Sequence, residues 1–114
     1  MKKLFISLFT LILFSLGVQA QEQSTVCANH ILVPTMIDAV KLKTQIKSFE
    51  DFQYYAQKYS ECPSGRQGGS LGCFGKGQMV KSFEDAAFNG NTDEVIGPVR
   101  TQFGYHLIWV TKKY

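Results

Sequence analysis

Six of the ten glycines in this 114-residue chain fall between Gly65 and Gly77, and that crowding limits the available folds more than any other feature. Glycine loses the most freedom in a helix and reaches backbone conformations closed to other residues. Pro63 just before it cannot continue a helix, so the spacing predicts a long ordered turn region. Periodic segments flank it. Val26–Val33 alternates apolar and β-branched residues around His30 and stops at Pro34, which suits a strand with Ala28, His30 and Leu32 on one face. Thr35–Lys47 carries Met36, Ala39, Val40 and Ile46 near helical spacing. Ser48 and Asp51 resemble a capping box with Asp in place of Glu, and Phe52, Tyr55, Ala56 and Tyr59 follow on one helical stripe. Beyond the glycines, Ser82 is placed to cap a short helix carrying Phe83, Ala86, Ala87 and Phe88, with a left-handed exit expected at Asn89-Gly90. Glu94–Arg100 and Tyr105–Thr111 read as strands joined around Gln102-Phe103-Gly104. They are too close for a crossover and so antiparallel, with His106, Ile108 and Val110 opposite Tyr105, Leu107 and Trp109.

The front of the chain is of another kind. Lys2 and Lys3 precede an apolar run from Leu4 to Val18, and Val18-Gln19-Ala20 offers small residues at the two positions a signal peptidase reads. Residues 1–20 are therefore expected to be a cleaved secretory signal peptide, with the mature chain starting at Gln21. A retained anchor is the alternative, but the run is shorter than the roughly 20 residues that span a bilayer. Residues 21–25 read as a short polar arm and 26–114 as one domain. Without Lys2 and Lys3 the net charge of +3 drops to +1, which gives no reason to expect nucleic acid. Cys27, Cys62 and Cys73 are an odd count in an exported chain, so at least one is free or paired outside the molecule, and their spacing matches no zinc or CxxC signature.

Three blocks carry a resemblance: CANHILV at 27–33, SECPSGRQGGSLGCFGKGQMVKSFEDAAF at 60–88 and GPVRTQFGYHLIWV at 97–110. In that order they resemble the parvulin family of peptidyl-prolyl cis/trans isomerases. The resemblance implies an α+β fold, a four-stranded antiparallel sheet surrounded by about four helices in the order βαααβαββ. It also implies a proline pocket at Leu71, Met79, Phe83 and Phe103, and a polar catalytic ring of His30, Cys62, Thr101 and His106. In the family the two histidines form a hydrogen-bonded pair beneath the pocket, and Thr101 would fix their tautomers.

No bond is broken in such a reaction, so a thiol at Cys62 is expected to act on the field around the carbonyl rather than as a nucleophile. A disulfide from Cys62 to Cys27 or Cys73 stays open. Phosphate-directed parvulins carry a basic cluster after the first strand; Val33–Asp38 has no Arg or Lys, and Asp38 would repel phosphate. The expected substrates are therefore non-phosphorylated X-Pro bonds in unfolded or folding exported proteins, handled by a monomer without metal or other cofactor in a bacterial periplasm or outside the cell. A binding module or holdase with little turnover is the alternative. A metal-dependent hydrolase on His30, His106 and Cys62 is a weaker one, for want of metal-ligand spacing.

Overall fold

The computed structural model describes residues 23–114. The expected signal peptide and the first two residues of the polar arm lie outside the described residues. The chain runs β1 (Thr25–Val33), α1 (Met36–Gln45), α2 (Phe49–Tyr59), a 3-10 turn (Pro63–Gln67), β2 (Ser70–Gly75), α3 (Lys81–Asn89), β3 (Val95–Thr101) and β4 (Gly104–Lys113). The strands form one antiparallel sheet in the order β2-β1-β4-β3. Three α-helices and the 3-10 turn fill the four helical positions expected. None of the described helices is long and apolar enough to cross a membrane.

Strict alternation on the two central strands separates two cores. Ile31 and Val33 of β1 with Leu107 and Trp109 of β4 face α1 and α2, where they meet Leu42, Phe52 and Ala56. Val26 and Ala28 with Ile108 and Val110 face Phe74, Phe83 and Ala87. His30 and His106 extend this second face at its upper end, so the sheet's own periodicity brings them together.

Several local expectations change. Within the glycine-rich segment, Ser70–Gly75 is a strand, paired to β1 through Val26↔Phe74 and Cys27↔Cys73; it lies at the sheet edge, where glycine in a strand is tolerated. On α1 the buried positions are Ala39 and Leu42, followed by Ile46 just past its end, whereas Met36 and Val40 are exposed. Ser48 accepts from the Asp51 N–H at 3.1 Å, but the Asp51 carboxylate returns to the Lys47 N–H at 2.9 Å rather than to Ser48. Ser82 does not cap α3: Val80 precedes the helix without a side-chain cap, and the Ser82 hydroxyl donates to the Arg100 carbonyl. Gly90 leaves that helix extended, at φ −78°, not left-handed. Its glycine answers crowding, since a Cβ there would collide with the Ile96 side chain and the Ala86 carbonyl.

Candidate active site

His30 on β1 and His106 on β4 meet in the middle of the sheet, their Nδ1 atoms 3.1 Å apart and their rings stacked at 17°. The other ring nitrogens end on hydroxyls. His30 Nε2 lies 3.1 Å from Ser64 Oγ, and His106 Nε2 lies 2.7 Å from Thr101 Oγ1, which also accepts the Phe103 N–H. Both rings are 5% exposed. Burial, and secondarily the neighbouring His106 ring, lowers the His30 pKa from 6.5 to about 4; burial lowers that of His106 as well. At neutral pH both imidazoles are uncharged, so one Nδ1 donates and the other accepts. The donating ring then accepts a hydroxyl proton at Nε2, and the accepting ring donates from its Nε2. The chain Ser64–His30–His106–Thr101 therefore points its protons one way along its length. A doubly charged pair would face N–H against N–H.

Phe83 of α3 stands edge-on to both rings, at 5.6 Å from His30 and 5.2 Å from His106. Above it opens a cavity of about 450 Å³ walled by Leu71, Met79, Phe83 and Phe103, with the histidines at its base. Leu32, Glu61, Cys62, Pro63, Gln78 and Val80 complete the lining.

Local chemistry holds these groups in place. Ser60 Oγ accepts from the N–H groups of Leu32 at 3.0 Å and Cys62 at 3.3 Å, while the Glu61 N–H donates to the Leu32 carbonyl at 2.8 Å. The Ser60–Cys62 corner is thus laced to β1, which sets Cys62 on the rim. The His30 N–H donates to the Gly69 carbonyl at 2.9 Å, and Asn29 Nδ2 to the Gly68 carbonyl at 2.9 Å. Gly69 has φ +86°, and a Cβ on it would strike the His30 carbonyl and press on Ala56. Only glycine lets the turn approach β1 this closely. After β2, Gln78 Oε1 accepts the Gly75 N–H and Glu84 Oε1 the Gly77 N–H, fixing the turn that presents Met79.

Of the eight site residues expected from sequence, seven line the cavity, and Thr101 stands behind His106. Ser64, Gln78 and Glu61 were not anticipated. Ser64 lies in an irregular turn where no periodicity marks it, and only its approach to His30 reveals it. The open cysteine question resolves against Cys62: Cys27 and Cys73 are joined across β1 and β2, and Cys62 is free. The four imidazole nitrogens are engaged by each other and by hydroxyls, an arrangement unlike the metal-hydrolase alternative.

Comparison with known proteins agrees with this geometry. The family model for the PPIC-type PPIASE domain matches residues 13–114. Foldase protein PrsA of Geobacillus sp. (strain WCH70) is 48% identical over 87 residues, covering 75% of this chain and 32% of that protein. The crystal structure of the peptidylprolyl isomerase PrsA from Bacillus cereus superposes with a TM-score of 0.76 at 40% identity, over 85% of this chain and 38% of that one. NmPin, the parvulin of Nitrosopumilus maritimus, gives 0.70 at 39% identity, over 78% of this chain and 97% of that one. The chain spans about a third of the length of the curated relatives it matches, but nearly all of NmPin. With the sheet, the paired histidines and the apolar cavity in one frame, the chain belongs to the parvulin family, the PPIC-type peptidyl-prolyl isomerase domains.

Proposed function

We propose that this domain catalyses cis/trans isomerisation of X-Pro bonds in exported, folding polypeptides. The observation that carries the reading is the apolar cavity seated on two neutral, hydrogen-bonded histidines. The barrier to rotation, about 18–20 kcal/mol, arises because the amide nitrogen shares its lone pair with the carbonyl. A catalyst has to bind the twisted amide better than either planar form. Leu71, Met79, Phe83 and Phe103 hold the pyrrolidine ring by burying it, while the preceding carbonyl is free to turn toward the polar rim. Uncharged imidazoles suit this task, because a charged pair at the base would raise the cost of desolvating the site.

Cys62 is assigned an electrostatic part beside the rotating carbonyl, without covalent attack, since no acyl product forms. His30 and His106 position the wall through Phe83, and Ser64 and Thr101 fix their tautomers. Foldase relatives support clients that are unfolded or folding chains. Export with cleavage after Ala20, and action as a monomer, belong to the same proposal.

The test is an isomerisation assay on residues 21–114 with a Leu-Pro peptide, run as two-dimensional NMR exchange so that no protease is needed. Exchange accelerated well above the uncatalysed rate, which takes tens to hundreds of seconds, supports the enzyme. Saturable binding without acceleration would overturn it in favour of a holdase.

A further inference from the structure

Glu61 occupies a singular place on the surface. It lies on the rim of the proline cavity and also lines two neighbouring depressions, one of about 380 Å³ and one of about 340 Å³. With both histidines held neutral, Glu61 is the charged side chain that the proline cavity presents at neutral pH. The larger neighbour is lined by Asp38 and Glu61 together with the apolar Val33 and Leu42 and by Tyr59. Lys41 is there too, but neither carboxylate is in an ion pair among the described residues; the pair that forms is Lys81–Asp85. The smaller depression, which shares Glu61, Cys62 and Pro63 with the proline cavity, holds Arg66.

We infer that Glu61 is a specificity-determining residue, selecting X-Pro segments with a lysine or arginine next to the proline on the side facing Asp38 and Tyr59. This deepens the isomerase reading and rests on it. A long alkyl stem fits against Val33 and Leu42 while its cationic head reaches the two carboxylates, as such side chains lie along apolar surface with the charge in water. The direction is fixed by charge: toward the Asp38 side the substrate meets two carboxylates and one ammonium, whereas toward Arg66 it meets a repelling guanidinium. On the Asp38 side the same field disfavours a phosphate or carboxylate beside the proline.

Exposed charge pairs supply modest energies, so the expected preference is about two- to fivefold in kcat/KM, weakening as salt screens it. The experiment compares Lys-Pro, Leu-Pro and Glu-Pro peptides, and a Pro-Lys peptide against Pro-Leu, by NMR exchange at low and high salt. It uses the wild-type mature chain, Glu61→Gln and Glu61→Lys. In one of the two lysine positions, wild type should prefer lysine over leucine at low salt; Glu61→Gln should bring the ratio toward one, and Glu61→Lys should invert it in favour of glutamate. A merely structural Glu61 would lower all peptides together and leave the ratios alone, which would overturn the assignment. Equal wild-type rates for lysine and leucine in both positions would overturn it while leaving the isomerase intact. If no peptide is turned over, the isomerase reading fails instead. Chemical-shift titration with the same peptides then decides the charge preference, and equal affinities would end it.

Discussion

Acidification from pH 7 to pH 5 should destabilise the fold by about 2 kcal/mol through His30 alone. In the folded chain His30 titrates at about 4, against an ordinary value of 6.5, because its ring is buried beside His106. Between those values the unfolded chain holds a proton that the folded chain refuses, so stability falls as pH drops through 6.5 and levels off near 4. At pH 5 the unfolded ring is almost fully charged and the folded ring almost fully neutral. The difference in proton-binding free energy relative to pH 7 then comes to about 2 kcal/mol. His106, lowered for the same reason, adds in the same direction. The pH 7–5 window sits above the ordinary carboxylate range, so histidines dominate it. Urea unfolding followed by the single tryptophan, Trp109, which is buried against Phe49 and Phe52, gives the free energy at each pH. The slope m should stay constant and the midpoint should fall. In His30→Asn the pH dependence should shrink to the share of His106. A wild-type free energy that does not change from pH 7 to pH 5, or a fall of equal size in His30→Asn, would refute the burial argument.

Other consequences are more local. Phe83→Ala removes the ring that walls the cavity and braces both histidines, so turnover should collapse, with a stability loss of roughly 3–5 kcal/mol; a folded variant with normal exchange rates would misplace the pocket. Cys62→Asp should retain substantial activity while Cys62→Ala and Cys62→Ser lose more, and an inactive, well-folded Cys62→Asp with a trapped acyl adduct would require covalent catalysis. Because Cys27 pairs with Cys73 and not with Cys62, reductant should not raise activity. It should lower stability by about 4 kcal/mol through the entropy returned to a 46-residue loop, measurable as a shift in the urea midpoint. Gly69→Ala should destabilise strongly, since its Cβ would meet the His30 carbonyl; an unchanged midpoint would show that the turn can retreat from β1.

The parts of the fold that announced themselves in sequence were those whose signal is periodic. β1 and β4 alternate, so the face each of their side chains takes followed from spacing, while the meeting of His30 with His106 was implied by the family resemblance. The stripe through Phe52 and Ala56 on α2 is equally plain. The family order implied a strand here, but the local pattern of β2 was hidden because Gly72 and Gly75 dilute it and an edge strand needs to bury only part of one face; Phe74 is its one buried side chain, and Leu71 packs against the core half-buried. The α3 cap was misread for a different reason. Ser82 is a good cap by type, but the Arg100 carbonyl competes for its hydroxyl, a partner eighteen residues away that local pattern cannot register.

The site divides along the same line. Its apolar wall and its histidines were legible because the three family blocks imply which residues line the cavity. Of the proton chain only the Thr101 end was implied by the resemblance, because the other end depends on Ser64 arriving from an irregular turn. Those two hydroxyls stand at opposite ends of the histidine pair, and each belongs to a segment that also carries a pocket group: Ser64 follows Cys62, and Thr101 precedes Phe103. The Thr101 hydroxyl accepts the Phe103 N–H while meeting His106. A hydroxyl has two acceptor lone pairs, so Thr101 can hold the Phe103 N–H whichever way the protons run, and one side chain fixes both the Phe103 turn and the His106 ring.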